Sequence, residues 1–215
     1  MSPVRHYDEM VRRLGLLLAQ PQAQVDPSWA PMLATGLDIS KGLLPVGEAD
    51  QADPVWGSRL GVAVLHRVCG PVPALTDFDA LPGRWCLLSR EDRLARLAAL
   101  GLVGTPGALR ACVRRAPRQA LEAVLGPAYE VLMTLGTGAA AAAPQVAERP
   151  PAAWALDAYL ALSRAGRWKN RALRRWVRLG LPRAPCPDTS RIRPCPQAVQ
   201  VCLQYLPSVD NWFQH

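Results

Sequence analysis

Apolar residues along this chain recur at three- and four-residue spacing, the period of a helix with one buried face, and nowhere alternate as a half-buried strand does. Ser2-Pro3 offers a capping hydroxyl followed by a proline suited to a first helical turn, and Tyr7, Met10, Val11, Leu14, Leu17 and Leu18 then share a face. This helix runs to about Gln20, where Pro21 stops it. From Pro21 to Asp53 proline and glycine punctuate the sequence, which reads as ordered loop with a short helical turn. Asp53-Pro54 opens a second helix whose apolar face, from Val55 and Trp56 through Leu60, Val64, Leu65 and Val68, ends at Gly70-Pro71. A connector to Pro82 holds one turn over residues 74–81.

Ser89-Arg90-Glu91-Asp92 has the spacing of a capping box, with Asp where Glu or Gln is usual, and opens a helix through Leu94, Leu97, Ala98 and Leu100 that Gly101 and Gly104 close. Thr105-Pro106 starts the next by the same chemistry. Pro117 begins another through Leu121, Val124 and Leu125, and Gly126-Pro127 kinks or restarts it ahead of Tyr129, Val131, Leu132 and Leu135. Residues 136–151 include five consecutive alanines between helix breakers, a run too short to persist as an isolated helix, and read as a linker or loop. Trp154, Leu156, Tyr159, Leu160 and Leu162 mark a further helix. Arg167 to Leu179 follows it, either continuous or bent at Ala165-Gly166. Five prolines make 181–196 irregular, a last helix spans Gln197 to Leu206, and Trp212-Phe213 is expected to pack on the body. The expected fold is all-α, an irregular multi-helix globule with proline-rich connectors. Residues 1–135 and 152–215 form two helical regions about the 136–151 linker, or the whole forms one domain.

Composition narrows this further. The chain has 215 residues, half of them apolar and a fifth charged, so it is long enough to bury a core and too apolar for a wholly disordered protein. No run of about 18 apolar residues exists to cross a membrane. Two acids, Asp8 and Glu9, come before the apolar run Leu14 to Ala19 and the segment lacks a signal peptide's basic-then-apolar order, so a cytosolic protein is expected. Six widely spaced cysteines fit free thiols better than a disulfide framework.

Charge is uneven. Net charge is +8, carried almost wholly by arginine; residues 1–57 hold four basic and seven acidic groups, whereas 164–193 hold ten basic groups and only Asp188. Arg164, Arg167, Arg171, Arg174 and Arg178 are spaced 3, 4, 3 and 4, which on one continuous helix places five guanidinium groups in a stripe. Such a stripe suits an acidic protein partner or a polyanion, and equally a solvated helix face. Nucleic acid would use the same arginines, with Trp168 or Trp176 stacking on bases, but both tryptophans fall at core-like positions and no DNA- or RNA-binding motif accompanies them.

Other chemistry is sparse. Cys186, Cys195 and Cys202, with His215 as a fourth ligand, lack the short Cys-x-x-Cys hairpin of a structural zinc site. His6 and His66 are isolated, and the glycine pairs at 101/104 and 136/138 neither follow a strand nor carry a phosphate-binding lysine. No catalytic, cofactor or metal residues are nominated, and a third class, a helical enzyme with a site assembled from distant residues, would show as a deep pocket holding convergent polar groups.

Several stretches carry a resemblance. Trp85-Cys-Leu-Leu-Ser-Arg-Glu-Asp-Arg-Leu-Ala-Arg-Leu-Ala-Ala-Leu-Gly101, then Gly107-Ala-Leu-Arg-Ala-Cys-Val-Arg-Arg115 and Ala120-Leu-Glu-Ala-Val-Leu-Gly-Pro-Ala-Tyr129, resemble the central helices of the SctK family (YscK, PscK, OrgA, MxiK) of bacterial type III secretion. Asp26-Pro-Ser-Trp-Ala-Pro31 and Trp176-Val-Arg-Leu-Gly-Leu-Pro182 are similar to that family as well. The resemblance implies a helical, non-enzymatic adaptor of the cytosolic sorting platform, bridging the inner-membrane ring protein SctD to the pod protein SctQ and held at the inner membrane's cytosolic face by those partners. It implies no cofactor and no small-molecule substrate, and the arginine stripe is the candidate partner surface. The alternative is a helical module that binds nucleic acid or another polyanion through the same stripe.

Overall fold

A computed structural model describes residues 3–29, 66–71, 73–105, 107–135, 148–183 and 195–213. All regular structure among them is helical, as the apolar spacing requires. In chain order the α-helices are α1 (Pro3–Ala19), α2 (Arg90–Val103), α3 (Ala108–Ala111), α4 (Arg115–Leu125), α5 (Ala128–Leu135), α6 (Pro151–Arg164), α7 (Arg171–Leu179) and α8 (Pro196–Asn211). Short 3-10 turns lie at Pro21–Gln24, Pro27–Trp29, Leu75–Phe78 and Gly83–Leu87. The helix expected from Asp53 lies outside the described residues except for 66–69, which are helical and end at Gly70 with φ 100°. The 136–147 part of the expected linker, Cys186 and His215 are also outside them.

The chain forms two compact units, residues 1–90 with 170–183 and residues 91–169 with 184–215. In the first, α1 packs on the turns at 75–78 and 83–87, burying Met10, Leu17, Phe78 and Trp85. α7 packs on the 83–87 turn. That turn runs so close to its neighbour that a Cβ on Gly83 would stand 2.3 Å from the Asp77 carbonyl oxygen, so only glycine fits.

In the second unit α6 packs on α8 and on α4, with Trp154 and Leu162 fully buried. Arg149 is buried there as well; its guanidinium lies 4.6 Å from the Trp154 ring centroid and donates to Asp157 Oδ2 at 2.7 Å. The expected packing of the chain end is present: Arg96, paired with Asp210 at 3.4 Å, stacks its guanidinium 4.8 Å over Phe213.

Helix limits differ from the expected ones at five places. Gly101 does not close α2; it lies inside the helix because the Trp154 backbone crosses it there. α3 is capped by Gly107 at φ 84° rather than by Thr105-Pro106, since the left-handed residue sets the chain's direction into the helix. α4 starts at Arg115, two residues before Pro117, a position in the first turn where proline's missing N–H costs nothing. α8 begins one residue before Gln197, at Pro196, with Cys195 as its cap. It then runs on through Pro207 to Asn211; buried Leu206 and Val209 and the Arg96–Asp210 pair offset the lost hydrogen bond. α7 clusters with the N-terminal residues.

Candidate functional site

Among the described helices α7 is the most strongly amphipathic. Its start is fixed by Asn170, whose side-chain oxygen accepts from the Ala172 N–H at 2.7 Å while its amide nitrogen donates to Asp77 Oδ2 at 2.8 Å. One capping residue thus both ends the preceding turn and ties the helix to the 75–78 turn. Ala172, Leu173, Val177 and Leu179 are buried on one face; Arg171 and Arg174, one turn apart, are exposed on the other.

The five arginines do not lie on one continuous helix. α6 ends at Arg164 in a Schellman motif: Gly166, at φ 65°, donates to the Ser163 carbonyl at 3.2 Å and Arg167 N–H donates to the Leu162 carbonyl at 3.0 Å. The chain turns there, so Arg164 and Arg167 belong to the second unit and Arg171, Arg174 and Arg178 to the first. Four of the five are exposed. Arg178 is half-buried and committed internally, donating to the carbonyls of Leu181 (3.2 Å), Pro182 (2.7 Å) and Arg183 (2.8 Å) and stacking 4.9 Å from the Trp29 ring centroid. The tryptophans are likewise engaged: Trp168 lies 5.9 Å from the Tyr159 ring, and Trp176 packs against buried Cys69 and Leu179.

Arg178 is part of a clasp absent from the expectations. Two stretches about 150 residues apart meet: the Trp29 indole N–H donates to the Leu181 carbonyl at 2.7 Å, Asp26 N–H donates to the Leu179 carbonyl at 2.8 Å, and Arg183 N–H donates to Ser28 Oγ at 2.8 Å. Beneath them Arg90 pairs with the Asp26 carboxylate and donates from Nε to the Gly180 carbonyl at 3.1 Å. Burial alone would push the Asp26 carboxyl up, but the hydrogen bonds from Ser28 Oγ and N–H, with the Arg90 charge, outweigh it and hold that carboxyl below its ordinary range. The clasp fixes the C-terminal end of α7 and so holds the arginine face in one orientation.

Among the described residues the thiols show no reactive arrangement. Burial pushes Cys69 and Cys202 each up to about 11, and Cys202 donates to the Leu100 carbonyl at 3.3 Å. Cys195 is exposed and caps α8, accepting from the Ala198 N–H at 3.4 Å. Brief treatment of the folded protein with iodoacetamide at pH 8 should label Cys195 while Cys69, Cys86, Cys112 and Cys202 stay unmodified until denaturant is added, as peptide mass spectrometry would show. Among the described residues no group of three His, Cys, Asp or Glu side chains is placed to hold a metal ion, and no helix is long and apolar enough to cross a membrane.

The sequence profile of a family described as bacterial type III secretion protein (HrpB4) matches residues 9–209. No curated protein and no solved structure matches the chain.

Proposed function

The chain belongs to the HrpB4 family of bacterial type III secretion proteins, and from that premise we propose that it is a non-enzymatic cytosolic adaptor of the SctK kind. In this role it sits in the sorting platform at the inner membrane's cytosolic face and bridges an SctD-like ring protein to an SctQ-like pod protein. Family membership across an all-helical chain is the observation that supports this most. The α7 face supplies a means: Arg171 and Arg174 project from a helix whose other side is buried and whose two ends are tied down by Asn170 and the Trp29 clasp. A rigid basic face of this sort loses little entropy when it meets carboxylates, and charge complementarity sets which partner it accepts.

The test is recovery of tagged protein from its own cell lysate, with nuclease, at low and high salt. Ring or pod proteins should be retained after nuclease treatment; nucleic acid lost together with its binding proteins on nuclease or salt would instead favour the polyanion alternative. With purified partners, the double change Arg171→Glu and Arg174→Glu is expected to weaken binding of one partner at least tenfold at 150 mM salt while circular dichroism stays unchanged. Wild-type affinity in that variant removes α7 from the interface.

A further inference from the structure

The second unit carries an open groove, about 260 Å³ in volume, that neither the clasp nor the arginine face uses. Its floor is Leu102 from the end of α2, Leu109 from α3 and Leu132 from α5, all buried; Leu135, 43% exposed, and half-buried Val201 and Tyr205 of α8 form its sides. Among the described lining residues the one charged group is Arg110, which is exposed. Beyond it Arg114 and Arg115 are exposed on the entry to α4; Arg114 reaches Glu148 at 3.1 Å, whereas no described carboxylate pairs with Arg110 or Arg115.

We propose that this groove receives an acidic amphipathic helix of a protein partner, its aliphatic side chains seated between Leu109, Leu132 and Leu135 and a carboxylate set on Arg110. An apolar floor several leucines long takes anchors at helical spacing, as groove-bound helices present them. The rim decides the charge: a guanidinium beside an apolar trough, with no described carboxylate paired to it, favours a carboxylate and disfavours a basic segment. The inference deepens the adaptor function and rests on it, assigning the groove to one of the two bridged proteins and leaving the α7 face to the other.

The full chain is titrated with the purified cytosolic domain of the ring protein and, separately, with the purified pod protein. Leu135→Asp and Arg110→Glu lie at exposed positions, and an unchanged thermal melt establishes that each variant is folded. Each should lower affinity for one partner at least tenfold and leave the other partner's unchanged. Arg110→Lys should retain most of the binding, and that partner should slow amide exchange across 102–110 and 199–205. If wild type binds a partner and both variants match it, the groove is not the docking site, although the adaptor function stands. Binding to neither protein overturns the adaptor function and this inference with it. Self-association of the chain that Leu135→Asp abolishes would assign the groove to a second copy and overturn the proposal.

Discussion

Replacing Asp26 with alanine should destabilise the first unit by about 3 kcal/mol, the lower end of the cost of removing one partner from a buried ion pair. Arg90 would keep its bond to the Gly180 carbonyl but lose its counter-charge while only 22% of its side chain is exposed. Ser28 would lose the acceptor for both its hydroxyl and its N–H. The loss should depend on pH in a defined direction. A carboxyl held below its unfolded value contributes stability that is fully present above the unfolded pKa, near 3.9, and is lost as pH falls through the lower native value. The gap between wild type and Asp26→Ala in urea midpoint should therefore be constant from pH 7 to pH 5 and shrink below about pH 4. A gap that widens in acid would mean that the carboxylate is not stabilised by this pair.

Gly101→Ala should destabilise the second unit by about 2 kcal/mol, against the usual gain of roughly 1 kcal/mol for exchanging glycine for alanine within a helix. A Cβ at position 101 would lie 2.2 Å from the Trp154 carbonyl oxygen and 2.8 Å from its carbonyl carbon, both backbone atoms of α6 that no rotamer change can move. Relief requires α2 and α6 to separate around Trp154, which is fully buried. Gly15 gives the matching control. It lies within α1 with nothing within 4 Å of its Cβ position, so Gly15→Ala should raise stability by about 0.5–1 kcal/mol. Opposite signs for one chemical change, read from urea unfolding, would isolate the close approach as the cause; a stabilising Gly101→Ala would show that the helices can part without loss.

Helix content was legible because each apolar stripe, each capping hydroxyl and most breakers act within one or two turns. What escaped the sequence acts across the chain. Gly101 looks like a stop when only its neighbours are known, and becomes an interior helical residue once Trp154, 53 positions later, is set against it. The assignment of α7 to the N-terminal residues depends on Asn170 meeting Asp77 and on Trp29 meeting Leu181, pairings that no local period announces. For the candidate site, the spacing of Arg171 and Arg174 was enough to place both on one exposed face. The continuous five-residue stripe failed because Ala165-Gly166, a visible helix-stop signal, prevails over a charge period that carries on past it. Arg178 shared that period, yet its partners are the carbonyls that follow α7, and a guanidinium near a helix C-terminus is well placed to satisfy them.

The placement of α7 among the N-terminal residues has a consequence on the ribosome. Residues 1–90 emerge first but lack the surface that covers the 83–87 turn, and they must wait for residues 170–183 before their own core closes. At ordinary elongation rates the 79 intervening residues take on the order of several seconds to be made. Throughout that interval the 83–87 turn, with Trp85 buried in the finished molecule, has α1 against it but not α7, and the nascent segment is a natural client for a chaperone until α7 arrives.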